Sequence, residues 1–134
     1  MTATLVDANV ILDVMTEDPT WFEWSASALA SAGDRSRLVI NPIIYAEVSV
    51  RYSRVEALDA DLPADLFSRE AIPFPAGFLA GKCFAAYRSR GGSRTSTLPD
   101  FFIGAHAAIS GYKLLTRDAR RYRTYFPRLD LIAP

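Results

Sequence analysis

The chain reads as an α/β domain with a mainly parallel sheet of about five strands flanked by helices. Three observations predict this. Short apolar, strand-like runs alternate with longer helix-like segments along the whole chain. Most helical segments carry their own start or stop residues. No internal repeat, low-complexity tract or long linker divides the 134 residues, so 1–134 is expected to be one domain.

The elements follow in order. "ATLVDA" (3–8) is a continuous apolar run ending in an acid and predicts a buried strand. "NVILDVMT" (9–16) predicts a short helix with Asn9 near its start. "PTWFEWSASALASAG" (19–33) predicts a second helix, with Pro19 near its start, Trp21, Ala28 and Ala32 at helical spacing, and Gly33 as its stop. "RLVI" (37–40) is the second strand. "NPIIYAEVSVRYS" (41–53) is a helix capped by Asn41, with Pro42 at its first position. "RVEALDADLPADLFSR" (54–69) is expected to be helical on both sides of a break at Pro63. "EAIPF" (70–74) is a third strand or extended segment, and "PAGFLAGKCFAAYRSRGG" (75–92) a long helix stopped by Gly91 and Gly92. After a polar loop, "DFFIGAHAAISG" (100–111) is an apolar helix opened by Pro99 and Asp100 and closed by Gly111. "KLLT" (113–116) is the fourth strand, "RDARRYRTYFP" (117–127) a basic, aromatic helix, and "LDLIA" (129–133) the closing strand.

Composition narrows the class. Half of the residues are apolar, which fits a packed core and argues against disorder. A chain of this length buries roughly two-thirds of its unfolded surface. The one cysteine, Cys83, excludes an internal disulfide and a CxxC zinc site, and is expected to be a reduced core residue. No apolar run reaches the roughly 20 residues of a membrane helix. Asp7 interrupts the N-terminal apolar run, so no signal peptide is expected and the cytoplasm is the expected compartment.

The formal net charge is zero, but its layout is uneven. Residues 1–80 hold five Arg against twelve acids, a net −7, while residues 81–128 hold ten Lys or Arg against two acids, a net +8. Such asymmetry suggests a polyanionic partner, the plain alternative being that folding interleaves the two halves.

In parallel α/β sheets the functional crevice lies beyond the carboxyl ends of the strands. Asp7 ends the first strand, and Thr116 ends the fourth with Asp118 two residues on. Asp100 opens an apolar helix, and Glu47 lies inside another. Each has an ordinary structural explanation. Asp7 could cap a turn, Asp100 could complement its helix dipole, Glu47 could pair with Arg51 one turn on, and Asp118 could cap the last helix. Gathered in one partly buried place, however, the four would stay ionised only with a compensating cation. Oxygen-only donors favour Mg²⁺ or Mn²⁺. Such an ion acidifies bound water and neutralises charge on a reacting phosphate, which is the chemistry of phosphodiester hydrolysis. Asp13, also in the opening stretch, is left outside this site.

These segments resemble those of PIN domains, and more narrowly VapC-type toxins of bacterial toxin–antitoxin pairs. The likeness runs through "LVDANVILDV", "NPIIYAEV", "LPDFFIGAHA" and "LLTRDARRY". Each motif is weak alone; four in order are specific. By matching position, the resemblance implies that Asp7, Glu47, Asp100 and Asp118 are the catalytic acids that bind Mg²⁺ or Mn²⁺. It makes Asn9 and Thr116 supporting residues. It also implies a five-stranded parallel sheet, a homodimer, endoribonuclease activity and inhibition by a cognate antitoxin.

An acidic pocket repels RNA, so cations must lie nearby. Arg88, Arg90 and Arg94 precede Asp100, and Arg117, Arg120, Arg121 and Arg123 flank Asp118. Of these, Arg88, Arg90, Arg94, Arg117 and Arg121 are the expected RNA contacts, since guanidinium groups suit phosphates. Tyr87, Tyr122 or Tyr125 could stack on unpaired bases. His106 is expected to be a packed core histidine, and the Trp21, Phe22 and Trp24 cluster to be core rather than an interface.

Competing classes fare worse. A receiver module needs an acidic pair after the first strand, an aspartate after the third and a lysine after the fifth; the chain offers Asp7 alone, "IPFP" and "LDLIAP". A haloacid-type phosphatase needs D-x-D-x-T, where this chain reads "DANVI". A non-catalytic, Mg- or RNA-binding PIN-fold module is the remaining alternative.

Overall fold

The computed structural model describes residues 2–95 and 97–134. The first strand, β1 (Ala3–Val6), is buried along its whole length, as a strand covered on both faces must be. It pairs in parallel with β2 (Arg37–Ile40) on one side and β4 (Lys113–Leu115) on the other. Beyond β2 lies β3 (Phe67–Arg69), and beyond β4 lies β5 (Leu131–Ile132). The order is β3-β2-β1-β4-β5, and every pairing is parallel. The chain steps outward from β1 to β3, then returns to open the other side with β4. Strand order therefore reverses between β1 and β4, where parallel sheets open a crevice at their carboxyl edge.

Seven helices join the strands among the described residues: α1 (Ala8–Met15), α2 (Phe22–Arg35), α3 (Pro42–Ser49), α4 (Val55–Asp61), α5 (Phe74–Ser89), α6 (Pro99–Ser110) and α7 (Arg120–Tyr125). Leu5, Val39, Ile40, Leu114 and Leu115 of the sheet pack with Ile44, Phe101, Ile103 and Tyr122 of the helices. Cys83 is buried and unpaired, as expected. Trp24 packs against the core, while Trp21 is half-buried with the Arg117 guanidinium 5.6 Å from its ring centre.

The α3 start follows its sequence signal: the Asn41 side chain accepts from the Ile44 N–H at 3.0 Å, with Pro42 in the first turn. His106 of α6 is fully buried, as expected. Because Asn41 Oδ1 accepts from Ile44, its Nδ2 must donate to His106 Nδ1 (3.0 Å). The ring proton therefore sits on Nε2, which faces Glu70 Oε1 at 3.6 Å, too far for a formed hydrogen bond. Burial lowers the His106 pKa and keeps the ring neutral.

Several boundaries differ from expectation: α3 ends at Ser49 rather than Ser53, and α7 spans only Arg120–Tyr125. The second helix passes through Gly33 and ends at Arg35; an exposed helical glycine costs only about 1 kcal/mol, and buried Ser25 and Ala32 anchor the helix ahead of it. The segment after Pro63 is a turn, with Leu66 and Phe67 N–H both directed at the Pro63 carbonyl. The third strand then comes early, at 67–69, because buried Phe67 aligns with Leu38 and Glu70 makes the last backbone bond to Ile40 before the chain leaves the edge.

Candidate active site

Asp7 is the first residue past β1. Its N–H donates to the Leu115 carbonyl of β4 at 2.9 Å, which fixes it at the mouth of the β1–β4 crevice. Its Oδ1 accepts from Ala8 N–H at 2.8 Å, so it also caps α1. Glu47 reaches the crevice from α3, Asp100 from the first turn of α6, and Asp118 from the loop after β4. All four line one cavity of about 540 Å³.

Their surroundings differ. Asp7 is 5% exposed, and its pKa is raised to about 6, first by burial and further by the Asp100 charge; donation from Tyr122 and Thr116 opposes the rise. Burial, then the charges of Asp7 and Asp100, raise Glu47 to about 7. Asp100 is also raised, chiefly by burial, with Arg121 opposing. Asp118 is exposed. Among the described residues no three His, Cys, Asp or Glu side chains close into a ready-made metal cage; the carboxylates line a shared cavity instead. The donor set nevertheless fits a hard divalent cation. Its groups are all oxygen donors, and Glu47 Oε1 is buried without a hydrogen-bond partner among the described residues. A buried acceptor left unpaired is costly, and a cation there would satisfy it.

Asn9 and Thr116, the supporting residues that the resemblance implied, lie near Asp7. Thr116 Oγ1 donates to Asp7 Oδ2 at 3.0 Å and accepts from Asn9 Nδ2 at 3.2 Å and Asp118 N–H at 3.2 Å. Asn9 Oδ1 accepts from Arg117 N–H at 3.2 Å, which fixes the amide orientation. One hydroxyl thus ties the end of β1 to the loop after β4.

A second cavity, about 390 Å³, shares Asp100 and Asp118 with the first and is otherwise lined by Tyr87, Arg120, Arg121, Thr124 and Tyr125. The two carboxylates form a wall between an acidic hollow and a basic, aromatic one.

The PIN domain profile matches residues 4–127. The chain belongs to the PIN domain family. Solved structures similar to this PIN domain include VapBC2 from Rickettsia felis bound to a DNA fragment from its promoter, with TM-score 0.73, 15% identity and 98% of each chain covered. VapBC-1 from nontypeable Haemophilus influenzae aligns with TM-score 0.73 and 18% identity over 98% of this chain and 97% of that one. A toxin–antitoxin complex from Klebsiella pneumoniae aligns with TM-score 0.66 and 18% identity over 96% and 95%. A comparison with curated protein sequences finds no match. Among the described residues no helix of this PIN domain is long and apolar enough to cross a membrane.

Several expectations change once side chains are placed. Asp13, left outside the site, lines the first cavity. Its carboxylate accepts from Arg117 Nε at 2.8 Å and Nη2 at 3.2 Å, and from Ser25 Oγ at 2.8 Å. Arg117, expected to contact RNA, is thereby committed to Asp13. Tyr122, a stacking candidate, is 1% exposed and offers no open ring face. Its hydroxyl donates to Asp7 Oδ2 at 2.9 Å and lies 3.4 Å from Asp100 Oδ1. Its position four residues after Asp118 was the one signal that it belongs to the site.

The other arginines remain at the surface. Arg88 Nη1 donates to the Arg94 carbonyl at 2.6 Å and closes the 88–94 loop. Gly92 lies so close to the Tyr87 ring that a Cβ would meet it at 2.3 Å. Arg90 stacks on Tyr125 at 5.1 Å, and Arg121 Nη1 stands 3.4 Å from Asp100 Oδ2. Glu47 has no ion pair with Arg51 among the described residues, and the α7 cap is Ala119 rather than Asp118.

Proposed function

We propose that this PIN domain is a metal-dependent endoribonuclease that hydrolyses RNA phosphodiester bonds and acts as the VapC-type toxin of a toxin–antitoxin pair. The observation that carries the reading is the convergence of Asp7, Glu47, Asp100 and Asp118 on one cavity at the β1–β4 switch point, with a buried Glu47 oxygen unpaired. The similarity in fold to VapBC complexes supports the toxin assignment and a cognate antitoxin as partner.

These four carboxylates would hold Mg²⁺ or Mn²⁺, which when bound activates water and neutralises charge on the phosphate. Thr116 and Asn9 keep Asp7 oriented. Asp7 or Asp100 takes the proton of the attacking water. Arg120 and Arg121, across the Asp100–Asp118 wall, hold a neighbouring phosphate of the strand, and Arg88, Arg90 and Arg94 extend the basic surface. The substrate passes from the basic hollow over the wall into the acidic one. A homodimer is part of this reading, and light scattering tests it.

The deciding experiment uses purified protein, freed of antitoxin and contaminating nuclease, with structured RNAs and Mg²⁺ or Mn²⁺. Metal-dependent cleavage that disappears in Asp100→Asn is the expected result. RNA binding without cleavage by the wild type would replace this reading with a non-catalytic binding module.

A further inference from the structure

We infer that Tyr122 is a positioning residue whose hydroxyl sets the spacing of Asp7 and Asp100 for cation binding; the inference rests on the metal-dependent reading above. Tyr122 lies on α7, and its ring belongs to the hydrophobic core. Packing alone would be served by phenylalanine, which has no hydroxyl to desolvate. A buried phenol needs a partner, and this one has two carboxylates: Asp7 Oδ2 at 2.9 Å and Asp100 Oδ1 at 3.4 Å.

The other contacts of these acids do not join them. Asp7 is also held by Ala8 and Thr116, at the β1 and β4 ends. Asp100 is also met by Arg121, which is partly exposed and approaches the other oxygen, Oδ2. Among the described residues, only the Tyr122 hydroxyl lies within hydrogen-bond distance of both carboxylates. It carries one hydrogen, so it donates fully to Asp7 and stands as a spacer against Asp100. Without it, two carboxylates face each other with no shared donor between them, and their repulsion drives them from the arrangement a cation would meet. Asp7 would also lose one of the two donors on Oδ2, and with it the fixed direction of its remaining lone pairs.

Tyr122→Phe tests this, because it keeps the ring and removes the oxygen. Mn²⁺ alone is titrated calorimetrically into the full wild-type and variant chains. With circular dichroism unchanged, the variant should bind Mn²⁺ roughly tenfold or more weakly, the usual effect of losing a group that orients a ligand. Affinity within about twofold of wild type would make Tyr122 a packing residue and overturn the inference, while leaving the nuclease reading intact. A wild-type chain that binds no Mn²⁺ would overturn that reading and this inference together. Should the variant not fold, the wild type decides. The shielded Tyr122 hydroxyl proton should give a slowly exchanging NMR resonance that shifts when Mg²⁺ is added, and no shift overturns the proposal.

Discussion

Arg117 holds Asp13 in a two-pronged grip, Nε to Oδ2 at 2.8 Å and Nη2 to Oδ1 at 3.2 Å. The pair joins α1 to the loop after β4, and Ser25 of α2 adds a third bond. The Asp13 side chain is 3% exposed and that of Arg117 31%. Removing the guanidinium would leave a buried carboxylate short of its cation. Arg117→Ala should therefore lower stability by about 2–3 kcal/mol, below the usual cost of breaking a fully buried pair because Arg117 is partly exposed. Arg117→Lys should rescue little, since an ammonium cannot fork. Urea unfolding checks both, and an alanine variant as stable as wild type would contradict the account.

The raised acids give a signed pH dependence. Asp7 moves from 3.8 to about 6 and Glu47 from 4.5 to about 7. Between about pH 4 and 7 the folded, metal-free chain thus holds more protons at these sites than the unfolded chain. More protons bound in the folded state means that their contribution to stability falls as pH rises. Glu70 and Asp59 shift the other way, so the test is a difference. The Tm of metal-free Asp7→Asn should gain on that of wild type as pH goes from 5 to 7.5. A constant difference would remove the burial argument for Asp7.

Arg120 is exposed and lines the basic cavity without an ion pair among the described residues. Its replacement by glutamine should weaken RNA binding in chelator. It should also flatten the slope of log affinity against log salt by about 0.7, the value for one phosphate contact on a single strand. Fluorescence anisotropy across a salt series measures this, and an unchanged slope would take Arg120 out of the RNA path.

Gly104 brings α6 against Phe126. A Cβ there would lie 2.3 Å from the Phe126 ring, and that ring is buried. Gly104→Ala should cost roughly 1–3 kcal/mol, as overpacked cores do. Adding Phe126→Leu should recover part of the loss. Thermal unfolding of the single and double variants decides, and a neutral Gly104→Ala would show that α7 yields freely.

Much of the architecture could be read from local chemistry. Asn41 and Pro42 announced the start of α3, and the alternation of apolar runs with helical segments announced a parallel sheet. The four acids stood out because each lies in, or at the end of, an apolar or strand-like stretch or just beyond it. The third strand was misplaced because "LFSR" looks like a helix continuation; its extended form comes from pairing with β2, a partner distant in sequence. Gly33 misled for the opposite reason, since tertiary packing of α2 outweighs one weak helix residue.

The sequence by itself determined the element order and the acids at strand and helix ends; that Asn9 and Thr116 support Asp7 was implied only by the resemblance to PIN domains. Tertiary structure alone decided who touches whom. It turned Tyr122 inward to two carboxylates, brought Asp13 into the cavity, and spent Arg117 on that buried acid. The reason is physical: a strand or helix is set by neighbours a few residues away. The partner of a proton or charge is set by distance in space, here across more than a hundred residues of chain between Asp13 and Arg117 or between Asp7 and Tyr122.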